Sequence, residues 1–131
     1  MTLLSIILGA LAYIVPTFPL AYVWHLKLFK TNYEQWDYAG GNPSIPLGFL
    51  SIFLQGIILS FLYALAPINH ASFFAAIGLV GLFGFFHWTV HVLAAMAKNE
   101  RMRTWGYFGL ETVYLALQFG IFALLMSGLV Y

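Results

Sequence analysis

Apolar positions fall into four long runs, about 3–29, 47–66, 71–97 and 106–130, separated by short polar connections. Each run meets or exceeds the roughly 20 residues that a helix needs to cross ~30 Å of hydrocarbon. None alternates with the period of two expected of a membrane strand. The pattern predicts an all-α, integral membrane four-helix bundle in a single domain, residues 1–131. Pro16 and Pro19 predict a bend in the first span. Asn42 to Pro46 reads as a stop and restart with Ser44 as the cap of the second helix, and Pro67 to His70 as a tight turn. No basic residue precedes the first apolar core and no small-x-small pattern follows it, so it reads as a retained span.

Polar positions inside these runs are few and patterned. His87 and His91 stand four apart in the third run, so their rings share a face. Gly84, Ala94 and Ala95 continue that stripe with small residues that let a neighbouring helix approach. The fourth run answers with Tyr107, Glu111, Tyr114 and Gln118, spaced four, three and four, which is one helical face. If the third and fourth helices form a hairpin turning at Arg101, then Glu111 (111 − 101 = 10) and His91 (101 − 91 = 10) lie level. His87 then falls near Tyr114. His25, near the end of the first run, and Ser51 and Gln55, on one face of the second, complete a predicted polar layer. From the middle of the third run, His87 lies roughly 4–5 Å and His91 roughly 10 Å toward the basic connections.

Charge orients the bundle. Lys27, Lys30, Lys98, Arg101 and Arg103 flank or occupy the first and third connections, while the second connection and both tails carry no charged side chain. The positive-inside rule then predicts both termini outside and the polar layer in the cytoplasmic half. Trp36, Trp105 and Tyr33 are expected at that interface.

Composition narrows the class. The chain is 63% hydrophobic and 7% charged, against about 25% charged in a soluble domain. A net charge of +1 gives no clustered basic face, so nucleic acid is not an expected partner. The absence of cysteine removes disulfides, thiolate metal ligands, iron–sulfur clusters and Cys nucleophiles. The expected partners are the lipid bilayer and either further copies of the chain or other membrane subunits.

Several roles fit the layer. Paired polar side chains between helices act as glue worth roughly 0.6–2 kcal/mol per contact. His87, His91 and Glu111 form a candidate metal set, since imidazole and carboxylate without thiolate suit Zn, Fe or Cu. Haem is disfavoured because His87 and His91 project from one face and cannot both be axial ligands of one haem. Buried Glu and His are also the usual groups of proton relays. His25, Ser51, Gln55, Tyr107, Tyr114 and Gln118 are candidate ligand or layer residues. No nucleophile–base pair or phosphate loop marks the chain as an enzyme.

The aromatic-rich end of the first span, YVWHLKLFKTNYEQW (22–36), the basic turn KNERMR (98–103) and the aromatic-led last span resemble small four-span bacterial membrane proteins grouped as a domain-of-unknown-function family. The resemblance implies a bacterial or archaeal cytoplasmic membrane and carries no activity over. The four-span glutathione-linked trimers share the size, but LGFLSIFLQGIILSF (47–61) lacks their Arg/Asn/Glu-rich second span.

Overall fold

The computed structural model describes residues 1–131 as helices and short connections. Four helices are long and apolar enough to cross a membrane: α1 (Leu3–Leu28), α3 (Ile45–Leu65), α4 (Phe73–Lys98) and α5 (Trp105–Val130). A short helix, α2 (Lys30–Gln35), lies in the first connection. The bounds match the apolar runs to within a few residues, because the caps sit where the runs begin. Ser44 accepts from the Leu47 amide, Ser72 from Ala75 and Thr104 from Tyr107, each satisfying an N-terminal donor that lipid cannot.

The long helices are not regular throughout. Pro16 and Pro19 sit within the α-helical part of α1, and the widening comes a turn later as a π turn over Trp24–Leu28. A second π turn, Thr89–Ala94, interrupts α4, and a third ends α5 at Met126–Val130. The first contains His25 and the second His91. Such bulges alter the phase of the side chains that follow them.

Packing is uneven. α1 lies along α3 and against α5, and α4 lies along α5, whereas α3 and α4 barely touch beyond the turn that joins them. Glycine sets the closest approaches. A Cβ on Gly56 would stand 2.8 Å from Ile14 Cγ1 and 3.0 Å from the Ala10 carbonyl oxygen, so α1 and α3 meet backbone to backbone. A Cβ on Gly84 would meet the Phe119 ring at 3.0 Å, which bears out the expected small-residue contact on α4. Tyr13, Tyr63, Val80, Phe122 and Met126 fill the centre. Ile58, Leu62, Phe74, Leu82, Phe85 and Phe86 point outward, as lipid-facing side chains do.

The first connection departs from the sequence expectation. Tyr33 is 3% and Trp36 6% exposed, so both turn into the protein instead of outward to an interface, whereas Trp105 is 86% exposed. Asp37 takes a left-handed φ of 54° and Gly40 one of 64°. The chain thereby doubles back, and Trp36 packs against Gly106, where a Cβ would lie 2.9 Å from its ring. Asn99 donates to the Trp36 carbonyl, tying the two charged connections together.

Candidate functional site: a buried carboxylate among imidazoles and phenols

The stripe on α5 forms as its spacing predicts. Tyr107, Glu111, Tyr114 and Gln118 are all buried, and Glu111 is 0% exposed. Its carboxyl group is the hub of a cluster drawn from α1, the first connection and α4. His91 Nε2 lies 3.3 Å from Oε1, the pairing that hairpin counting predicts. His25 is closer, with Nε2 3.1 Å from both Oε1 and Oε2. The Tyr33 hydroxyl donates to Oε2 at 2.6 Å.

Hydrogen-bond valence fixes much of the proton inventory. Trp24 Nε1–H donates to the Tyr33 oxygen at 2.9 Å, which leaves the single Tyr33 hydrogen for Glu111. His25 Nδ1 lies 2.9 Å from the Ala21 carbonyl, which can only accept, so Nδ1 carries a hydrogen. Nε2 then either donates to a carboxylate or accepts from a carboxylic acid. Imidazolium with carboxylate and imidazole with carboxylic acid hold the same number of protons. The Glu111–His25 pair therefore stores one proton and is neutral overall in either form. That is the cheapest way to keep a carboxyl group out of water.

The surroundings hold these groups in place. Tyr38 OH lies 2.7 Å from His91 Nε2 and donates or accepts according to the tautomer. Tyr107 OH donates at 2.7 Å to the carbonyl of His91, which lies within the π turn. Tyr38 stacks on His25, with ring centroids 4.8 Å apart, and Tyr114 meets His25 edge-on at 4.5 Å. Outside the spans, burial and then the Glu111 carboxylate push the phenols of Tyr33 and Tyr38 well above their ordinary value.

His87 stands differently from the expectation. Its ring stacks on His91 at 5.0 Å and leans on Phe119 at 5.5 Å, while Tyr114 turns to His25 and Trp24. Gln118, Gln55 and Ser51 belong to a separate chain of hydrogen bonds. Gln118 donates to the Tyr13 hydroxyl, Tyr13 donates to Gln55 Oε1 at 2.7 Å, and Gln55 donates to Ser51 Oγ at 3.0 Å. This chain crosses from α5 through α1 to α3.

No three of the His, Asp and Glu side chains are disposed to hold a metal ion. His25 Nε2 bonds the carboxyl oxygens, His91 Nε2 lies 3.3 Å from one of them while bonding the Tyr38 hydroxyl, and His87 stacks on His91 without approaching Glu111 within bonding distance. The structure thus shows a His/Glu layer but no metal site at His87, His91 and Glu111.

Two cavities flank the cluster. The larger, about 500 Å³, is lined by His25, Tyr38, Ser51, Gln55, His87, His91, Tyr114 and Gln118 together with apolar residues. Glu111 sits behind this wall, and Tyr107 also lies outside it. The smaller, about 400 Å³, lies at the charged end, lined by Lys30, Tyr33, Glu34 and Asp37, and it shares His25 and Tyr38 with the first.

Tyr13 and Tyr38 escaped the sequence reading, and Tyr33 was expected at an interface instead of at Glu111. A signal for Tyr13 was present, since Tyr13, Thr17, Ala21 and His25 stand four apart on one face of α1. Tyr33 and Tyr38 carry no comparable periodicity, because their placement depends on the reversal at Asp37.

The fold and cluster define a small polytopic helical membrane protein with a buried carboxylate–imidazole–phenol site. Set against known protein families, characterised proteins and solved structures, the chain matches none of them.

Proposed function

We propose that this chain binds a small, uncharged, hydrogen-bonding ligand in the cavity between α1, α3, α4 and α5, whose wall is backed by the buried Glu111–His25 pair. The observation that carries this reading is convergence upon a space. Polar side chains from all four spans line one cavity of about 500 Å³, within the range of small-molecule sites. A layer serving only as glue fills the space between its helices, whereas here a cavity remains beside side chains that are bonded to one another. No Lys, Arg, Asp or Glu lines the space, and His25 is already paired with Glu111, so a charged ligand finds no free counter-ion. The second cavity lies just beyond the first, since His25 and Tyr38 wall both spaces and Glu34 and Asp37 line the one at the charged end. With the basic connections in the cytoplasm, that second space faces the cytoplasmic side.

The test is a thermal-shift series on purified protein with phenol, indole and benzamide as probes. At least one raises the unfolding midpoint of the wild type and loses that effect in Ser51→Phe, which fills the cavity. Equal shifts in both proteins, or none in either, overturn the reading.

A second reading is an accessory or self-associating subunit. It is favoured by an apolar groove of about 450 Å³ on the α4–α5 face, lined by Gly81, Gly84, Ala116 and Gly120 among others, where another helix could approach closely. Light scattering in detergent showing more than one chain per particle supports it.

A further inference from the structure

Resting on the ligand reading above, we propose that the ligand is a membrane-soluble quinone, a flat uncharged ring on an apolar chain, which enters sideways from the bilayer between α3 and α4.

The argument begins with the two helices that do not close. α3 and α4 follow one another in the chain yet barely pack together, and the gap between them has two parts. One is the polar cavity. The other, about 490 Å³, is almost wholly apolar, lined by Ile58, Leu59, Leu62, Leu82, Phe83 and Phe86 among others. The two meet at Gln55 and His87, which line both. Outer residues of the apolar part are open to lipid: Ile58 is 56%, Leu82 64% and Phe86 72% exposed. A molecule in this gap would have a polar end among His, Tyr and Gln and a tail among Ile, Leu and Phe. From Gln55 to Leu62 the apolar part runs about 10 Å along the helix axis, after which a chain emerges into hydrocarbon.

The head's chemistry follows from the lining. Phosphate or carboxylate heads find no Lys or Arg there, and burying either unpaired costs several kcal/mol or more. The stacked His87–His91 rings and the rings of Tyr22, Tyr38 and Tyr114 give aromatic walls, which suit a flat head. Gln55, Gln118, Ser51 and the His87 ring offer donors for ring carbonyl oxygens.

The test compares duroquinone, a ring without a tail, with a decyl-substituted benzoquinone. Binding is read as the rise in thermal midpoint followed by circular dichroism in neutral detergent. Ile58→Trp combined with Leu82→Trp blocks the apolar part while leaving the polar cavity lining untouched. The expected result is at least a ten-fold loss of apparent affinity for the decyl quinone in this variant, with duroquinone unchanged. Equal effects of the variant on both quinones, or no effect on either, overturn sideways entry. If neither quinone binds the wild type, the quinone class is overturned, while the phenol, indole and benzamide series judges the cavity by itself. Displacement of the decyl quinone by phosphatidylglycerol also overturns the proposal. Should the double variant fail to fold, Phe86→Ala widens the same passage; a change confined to the decyl quinone supports the proposal, and a change shared with duroquinone overturns it.

Discussion

Tyr33 and Glu111, 78 positions apart in sequence, are joined by a hydrogen bond of 2.6 Å whose direction is dictated by Trp24. Because the indole can only donate, the phenol has one hydrogen to give, and it goes to the carboxyl group. Tyr33→Phe removes that donor and leaves the Trp24 N–H without its acceptor. The expected loss is about 1–3 kcal/mol. Glu111→Ala, which strands His25, His91 and Tyr33 together, is expected to cost more, about 3–5 kcal/mol. Reversible unfolding in mixed micelles measures both; equal, negligible losses would show that the cluster does not hold the fold.

Alkaline pH is the next expectation. Tyr33 and Tyr38 have phenol pKa values raised by burial and by the Glu111 charge. The unfolded chain ionises them near pH 10, and the folded protein does so only at higher pH. Their contribution to stability is therefore complete below about pH 10 and declines as pH climbs from there toward the folded values. A spectroscopic titration of phenolate absorbance should show some tyrosines ionising only as helicity is lost, and Tyr33→Phe should reduce their number.

The contact of α1 with α3 at Gly56 has no slack. Gly56→Val places a side chain against Ile14 and the Ala10 carbonyl, and should separate the helices with a loss of about 1–3 kcal/mol. It should also break the bond between Tyr13 and Gln55, which lies beside it in sequence. A thermal midpoint equal to that of the wild type would rule this out.

Thr17 runs the other way. Its hydroxyl is buried without any hydrogen-bond partner, and the residue is 2% exposed. Thr17→Val keeps the shape and removes an unsatisfied polar group, so it should stabilise the protein by about 1 kcal/mol. A lowered midpoint would mean that the hydroxyl has a partner in solution.

Metal binding is separable by direct measurement. His25 Nε2 bonds the carboxyl oxygens and His91 Nε2 bonds the Tyr38 hydroxyl, so an ion would have to displace those bonds. Metal analysis of protein purified without chelator, before and after dialysis against EDTA, should show no stoichiometric Zn, Fe or Cu and no change in midpoint. A stoichiometric metal lost in His91→Ala would reverse this expectation.

The spans, the α5 stripe and the level pairing of His91 with Glu111 were legible because each depends on local periodicity and one short hairpin. His25 was placed in the layer, but its partnership with Glu111 was not legible. That bond needs α1 beside α5 and a π turn at Trp24–Leu28, and no spacing reports either. Tyr33 and Trp36 were misread for a physical reason: aromatic residues beside lysines look like an interfacial belt, and only the reversal at Asp37 turns them inward. His87 was paired by depth with Tyr114, but depth ignores rotation about the axis, and its ring packs on Phe119 instead.

The π turn at Thr89–Ala94 gives α4 one residue more than a regular helix needs over that stretch. Removing a single residue there, such as outward-facing Val90, would restore ordinary i→i−4 bonding and leave a helix still long enough to span. Residues beyond Ala94 would keep their phase, because the lost residue and the lost widening offset one another, whereas His91, inside the turn, would swing about the helix axis. Such a deletion would separate two properties that substitutions tend to affect together: insertion into lipid would survive, and the alignment of His91 with Glu111 would not.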